Sequence, residues 1–426
     1  MSGLTRRTAL RASGVVAAAA LTGCDSTRDV VEVAVIWSDQ ELAAFRSVVE
    51  GYVRQSGTRV SVVSAGDDID AFVRARSRAG NPPDVAIVSQ PGLITRYAGD
   101  GLLRPLDPAL AAGLSGTWLA AGTVDHTLYG RCVKAAHKSL FWHVPSTVDP
   151  EPTTWAQFAE LVRVRAAAGR PTLSIGAADG WVLTDWFENV LASVADPGDY
   201  EALATATADW SGDGVRHALG LLAEVWSIPG AFPDGRQRAL LTQFDESVIA
   251  VFGTRRADLV FEGDFVAPLI DRFGHGYPVS EHPDSVMFRF PPAAGEVPAL
   301  IVGGDTMVLM RDTAAGRALL KYLAGPEAFH PWIARGGFLS PDNRVPPTAY
   351  PTALARMLAD QLRDPAAHFD LSDRLAGDLS GGDGRGTWRI MQDFFRLATR
   401  AGTEAERERA VDETVRAFRT AAGARR

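Results

Sequence analysis

The sequence predicts an α/β fold of doubly wound, mostly parallel sheets divided between two lobes. Three observations carry that expectation. Apolar periodicity alternates strand, helix, strand, helix, strand between Val31 and Val88, and this alternation favours parallel pairing through helical crossovers. The chain has 426 residues, more than one hydrophobic core ordinarily organises. Its 46% hydrophobic and 22% charged residues match a globular chain rather than a disordered or fibrous one.

The elements follow in order. Val31 to Ile36 alternates and is rich in β-branched residues, which reads as a strand. Leu42, Phe45, Val49, Tyr52 and Val53 share one helical face, and Gly57 closes that helix. Val60 to Val63 gives a second strand. Asp67 or Asp68 is placed to cap a helix carrying Ile69, Phe72 and Val73. Gly80-Asn81-Pro82-Pro83 ends it, and Val85 to Val88 forms a third strand. Ligands of doubly wound sheets bind beyond the C-terminal strand ends. Trp37-Ser38-Asp39 and Ser89-Gln90-Pro91 are therefore expected at a cleft.

Beyond these, Leu128 to His143 is rich in strand signals, and Trp155 to Ala168 is a helix. Residues 170–295 mix helices with Pro- and Gly-rich loops. Ala299 to Met310 is apolar but interrupted by Gly303-Gly304-Asp305. Helices are expected at 313–324, 326–335, 352–363, 387–400 and 404–422. The patch Ser380 to Gly386 is a loop, and the chain shows no internal repeat.

Residues 1–24 read as an address rather than as structure. Arg6-Arg7 lies in a basic n-region, Ala12 to Ala20 is a short apolar run, and Leu21-Thr22-Gly23-Cys24 resembles a bacterial lipobox. The apolar run is too short to span a bilayer. Export by the Tat or Sec route, a lipid on Cys24 and a polar tether over 25–30 are expected. Removing Arg6, Arg7 and Arg11 with the leader takes the net charge from −8 to −11. That balance argues against nucleic acid as a partner and fits a neutral or cationic ligand. Cys24 and Cys132 are the only cysteines. Cys132 sits in an apolar run as a small buried hydrophobe, so no disulfide is expected.

Catalytic signatures are missing from the sequence: there is no zincin helix, Walker loop, dinucleotide fingerprint or nucleophile elbow. His275 and His282 lack metal-ligand spacing, so no metal or cofactor is expected. Tryptophan stands out instead, with ten in the chain, several beside loops rich in Asp and Gly. Trp181 and Trp186 bracket Asp185, Trp37 ends the first strand, and Trp388 opens a helix after the glycine loop. Aromatic faces suit the apolar faces of a pyranose, and carboxylates suit its hydroxyls.

A set of motifs gives these features a common setting. Asn81-Pro82-Pro83-Asp84-Val85-Ala86, Ser89-Gln90-Pro91-Gly92, Lys138-Ser139-Leu140-Phe141-Trp142, Gly180-Trp181 with Thr184-Asp185-Trp186, Gly304-Asp305, Arg335-Gly336-Gly337-Phe338-Leu339-Ser340-Pro341 and Phe369-Asp370-Leu371-Ser372-Asp373 occur in this order. Together they resemble the bacterial extracellular solute-binding proteins of family 1, in particular the α-glucoside and maltose binders. The likeness runs from about residue 31 to the C-terminus.

That resemblance implies a two-lobed periplasmic-binding-protein-like fold of type II, with a hinged cleft that closes on ligand. One lobe would hold 31–135 plus 305–335, and the other 140–300 plus 340–426. It also implies a non-enzymatic substrate-binding lipoprotein, monomeric, that delivers a small carbohydrate to the permease of an ABC importer. An extracytoplasmic glycoside-processing enzyme and a binding module reporting to a sensor are the alternatives. By the same likeness, Trp37 and the Gln90 loop line the cleft, Glu262 and Phe265 supply a polar group and a stacking aromatic, and Trp388 supplies another. His137 falls near a cleft carboxylate of the family, at a position usually Asn in the nearer branch. The full set of expected ligand-binding residues is Trp37, Ser38, Gln90, His137, Trp181, Asp185, Trp186, Glu262, Phe265, Asp305 and Trp388.

Overall fold

The computed structural model describes residues 30–66, 69–145, 147–196, 198–205, 208–274, 286–375, 379 and 386–423. The leader with Cys24, the tether up to residue 29, the capping Asp67 or Asp68, the pair His275 and His282, and residues 380–385 of the glycine loop lie outside these.

The described strands are β1 (Val30–Val35), β2 (Arg59–Ser64), β3 (Val85–Val88), β4 (Thr123–Val124), β5 (Thr127–Leu128) and β6 (Gly130–His137). After them come β7 (Leu140–His143), β8 (Leu173–Ser174), β9 (Leu259–Phe261), β10 (Met287–Arg289), β11 (Ile301–Leu309) and β12 (His368–Phe369). They build two main sheets. The first runs β12-β11-β3-β1-β2 with β6 also on β11, and the second runs β10-β7-β9-β8. As the periodicity of 31–88 predicts, β1 pairs in parallel with both β2 and β3. The later strands bring antiparallel pairs: β11 with β3 and β6 in the first sheet, and β7 with β9 and β10 in the second.

Local chemistry explains the boundaries. The first helix, Asp39–Ser56, ends where Gly57 turns left-handed at φ 73° and donates its N–H to the Val53 carbonyl. The expected helix over 326–335 shrinks to His330–Ile333, because Pro331 lacks an N–H and fits only a first turn. Across Ala299–Met310 the glycines do not interrupt anything: β11 runs straight through them, with a register shift at Asp305/Thr306 opposite β6. A Cβ on Gly303 would lie 2.7 Å from the Lys138 side chain, and one on Gly304 2.7 Å from Cys132 Sγ. Gly303 thus leaves room for the Lys138 side chain to cross the strand, and Gly304 leaves room for Cys132.

The two sheets meet where the chain passes from β6 to β7. Lys138 donates its N–H to the Ile301 carbonyl at 2.9 Å, and Ile301 donates back to Ser139 Oγ at 2.9 Å. Two crossings are thereby tied side by side. Separate apolar clusters flank the crossing, one around Phe45, Trp142, Leu320 and Trp332, the other around Phe141, Trp186, Leu222 and Phe395.

Candidate functional site

β6 is buried along its whole length, yet it carries Lys134 and leads into Lys138. A buried ammonium is costly unless carboxylates surround it. Both lysines have them, and the two sets define the site.

Lys138 Nζ lies 3.3 Å from Asp185 and 3.6 Å from Asp373, and is bonded to Asp370. Burial alone would lower its pKa, but the three aspartates outweigh that and raise it. Asp185 comes from the helix Gly180–Val194, whose Asn189 donates to the Lys138 carbonyl at 2.8 Å. Asp370 and Asp373 belong to the short helix Leu371–Arg374, which Asp370 caps by accepting from the Asp373 N–H. Glu188 accepts from the N–H groups of Leu371 and Ser372, so two carboxylates satisfy that helix end. Burial raises Asp185 well above the carboxylate range, and burial beside Asp370 pushes Asp373 to about 8. Asp370, despite its burial, is held near 2 by Lys138.

Lys134 Nζ lies 3.1 Å from Glu41 and 3.8 Å from Asp305. Asp305 accepts from Trp37 Nε1 at 2.7 Å. Between the two ammoniums stands an aromatic wall. Trp181 and Phe265 meet edge to face at 5.9 Å, and Phe244 lies 5.6 Å from Trp181. Lys138 sits 5.9 Å over Trp181, and Lys134 5.9 Å over Phe265. All three rings are half-buried.

Glu262, one residue past β9, is buried, and neither carboxylate oxygen finds a partner within hydrogen-bonding geometry among the described residues. The nearby Ser247 hydroxyl, which donates to the Phe244 carbonyl, and Lys138 favour its ionised form. Burial, then Asp185 and Asp179, raise the Glu262 pKa well above its ordinary value.

Of the residues expected from sequence, Trp37, Trp181, Asp185, Glu262, Phe265 and Asp305 come together in this cluster. His137 lies at its edge. Its backbone N–H donates to Asp264, its Nε2 bonds Gln361 at 2.9 Å, and burial with Arg289 nearby drops its pKa to about 3, so the ring is neutral. Gln90 is buried at the start of the helix Pro91–Gly99 without capping it, and Ser38 is exposed. Trp388 is half-buried beside Gly180, where a Cβ would come within 2.6 Å of the Trp388 Cβ.

Trp186 lies apart from this cluster. Five residues on from Trp181, it points about 140° away around the helix. Its ring is enclosed by Phe141, Phe158, Trp226, Phe261 and Phe290 at 5.2–6.0 Å. Lys134, Lys138, Phe244, Asp370 and Asp373 also belong to this cluster and were not among the residues expected from sequence. The available signal was the lysines themselves, embedded with His137 and Ser139 in the largely apolar stretch Cys132 to Trp142.

Comparison with known proteins sets this geometry in context. Residues 37–328 match the model of the bacterial extracellular solute-binding protein family. An osmoprotective-compounds-binding protein of Synechocystis is 29% identical over 79% of this chain and 82% of its own length. An α-glucosides-binding periplasmic protein of Rhizobium meliloti is 28% identical over 88% of this chain and 85% of its own length. Among solved structures, a bacterial solute receptor with a preference for β-D-galactopyranose superposes with a TM-score of 0.73 at 17% identity, covering 92% of this chain and 99% of its own.

Proposed function

From its membership of the bacterial extracellular solute-binding proteins, a family to which this chain belongs, we propose that it is the carbohydrate receptor of an ABC importer. It takes an α-glucoside or another small oligosaccharide between two lobes, 31–135 plus 305–335 and 140–300 plus 340–426, and hands it to a permease. It does so as a monomer, without turning the solute over. The observation that carries this reading is the half-buried wall of Trp181, Phe244 and Phe265 beside the carboxylates of Asp185, Glu262 and Asp305. Sugar hydroxyls leave water at a cost that their new hydrogen bonds barely exceed, about 0.5–1.5 kcal/mol net each. Aromatic stacking adds apolar burial worth roughly 25 cal/mol per Å² without that penalty. The names of the relatives, which bind osmoprotective compounds and α-glucosides, support the same solute class.

A thermal-shift panel of mono- and oligosaccharides tests the reading. A ligand at a hundred times its Kd stabilises the folded chain by about 2.7 kcal/mol, so at least one sugar is expected to raise the melting temperature by several degrees. A panel in which only amino acids, peptides or polyamines do so overturns the assignment, and release of product from an oligosaccharide replaces it with an enzyme.

Anchoring belongs to the same proposal and rests on the sequence of the N-terminus. No helix among the described residues is long and apolar enough to cross a membrane. Retention at the cell membrane is assigned to a lipid on Cys24 after Tat or Sec export. The Cys24→Ala variant is expected to move from the membrane to the soluble fraction. A variant that fractionates like the parent protein rules the lipobox out.

A further inference from the structure

Two motifs of the sequence, Ser89-Gln90-Pro91-Gly92 and Phe369-Asp370-Leu371-Ser372-Asp373, meet in the structure, where the helices they open pack against each other. Gly92 is buried in the first turn of the helix Pro91–Gly99, which follows β3 on the first lobe. A Cβ there would lie 2.1 Å from the Leu375 carbonyl oxygen, 2.8 Å from its carbon and 2.9 Å from the Arg374 carbonyl oxygen. These are main-chain atoms, which cannot swing aside as the end of a side chain can. Gly92 is not among the glycines with a left-handed φ, and within a helix alanine is favoured over glycine. The demand on this residue is the close approach.

The segment it touches is tied to the second lobe. β12 still pairs with β11 in the first sheet, and His368 and Asp370 donate their N–H groups to the Leu300 and Val302 carbonyls. The chain then changes sides. Leu371 and Ser372 donate their N–H groups to Glu188, Thr184 Oγ1 donates to Ser372 Oγ at 3.2 Å, and Arg374 pairs with Glu201 at 2.6 Å. Glu188 and Thr184 come from the helix Gly180–Val194, and Glu201 from the helix Asp199–Ala204. This is a third crossing between the sheets, beside those at Lys138 and Ile301, and Lys138 is bonded to Asp370 within it. Apolar packing divides in the same way. Leu93 and Ile94, next to Gly92, belong to one cluster, whereas Leu371 and Leu375 belong to another. Gly92 is thus pressed on main chain of the other lobe, about one helical turn beyond the crossing, between side chains of separate cores.

Resting on the reading of a solute held between two lobes, we propose that Gly92 is a positioning residue for closure. Its bare Cα is the seat on which the Arg374 and Leu375 carbonyls come to rest, and so it sets how nearly the lobes approach over the aromatic wall. A methyl group at the seat holds the lobes apart. Because the lobes turn about the crossings, the chain escapes that clash by opening rather than by unfolding, and the closed state becomes rarer. Apparent affinity falls in proportion to the population of the binding-competent state, with every solute-contacting side chain still in place.

The test compares Gly92→Ala with Gly99→Ala in the full chain. Gly99 ends the same helix, is exposed, and a Cβ there meets nothing within 4 Å. Each variant is titrated with whichever sugar of the thermal-shift panel, maltose and trehalose included, binds the parent protein most tightly. Small-angle scattering then follows at saturation. Gly92→Ala is expected to bind roughly ten-fold or more weakly, and to keep a larger radius of gyration at saturation than the saturated parent. Its melting temperature without sugar should stay within a few degrees of the parent's, and Gly99→Ala should match the parent throughout. Three results overturn the seat while leaving the carbohydrate receptor reading intact: an affinity like the parent's, a weakened affinity at the parent's radius, or an equal loss in Gly99→Ala. A Gly92→Ala chain that no longer folds overturns it too, because the contact is then fixed packing within one body. If no sugar of the panel binds the parent, the receptor reading fails, and this inference fails with it.

Discussion

Replacing Lys138 by Met is expected to cost the fold about 3–5 kcal/mol near neutral pH, the range for breaking a buried ion pair from one side. The methionine fills a similar volume, so packing is not the source of the loss. The source is three aspartates left facing one another without a cation. At present Asp370 remains ionised, near 2, because of Lys138, whereas Asp373 already rises to about 8 through burial and Asp370. The sign of the pH dependence follows. A carboxyl whose folded pKa is raised is favoured in the native state below its unfolded pKa, and that advantage disappears as pH climbs through the folded value. Removing the cation raises the folded pKa of all three aspartates, so the deficit of the variant is largest above pH 8 and shrinks as pH falls toward 4. Unfolding midpoints of both proteins at several pH values check this. Lys138→Arg, which keeps the charge, should lose less. A Met variant with a small, pH-independent loss would mean the aspartates are satisfied without the ammonium.

How much of this was legible in the sequence differs by level. β3 was readable to the residue because prolines punctuate both sides of Val85 to Val88. The Gly57 stop was readable because only glycine takes that left-handed conformation freely. At Gly303-Gly304 the same residue type misled, since those glycines answer a steric demand from side chains more than 160 residues away. The stacking face carries the same lesson. Trp181 and Trp186 look equivalent along the chain, and only the helix phase relative to a core assembled from distant strands separates them. The carboxylate cluster was least visible. Lys138 and Asp370 stand 232 residues apart, so no local spacing joins them, and Asp is common enough here that no pair stands out. What the sequence did hold was a pair of lysines in a run largely fit for a core, which physically demands acidic partners somewhere.

The Trp181 and Trp186 pair also gives the second large effect. Trp186→Ala is expected to destabilise the fold by about 3–5 kcal/mol, as deletion of a fully enclosed large aromatic does. Its ring touches five aromatic neighbours drawn from the strands and helices of one core, including Phe141 and Phe261 at 5.2 Å. No rotamer brings it back to the wall on the opposite side of the helix. Trp181→Ala removes a half-buried ring whose neighbours include Phe244, Phe265 and Lys138. Here the larger effect is expected in binding, a loss of about 1–3 kcal/mol, or roughly five- to a hundred-fold in Kd. Trp388→Ala, at the other half-buried tryptophan, should behave like Trp181→Ala. Melting curves and calorimetric titration with a sugar identified in the panel, run on all three variants, separate the roles. The decisive pattern is crossed: stability lost with affinity kept in whatever folds for Trp186→Ala, and affinity lost with stability largely kept for Trp181→Ala. If Trp181→Ala binds sugar unchanged, the aromatic wall is packing rather than a recognition surface, and the carbohydrate site lies elsewhere in the cleft.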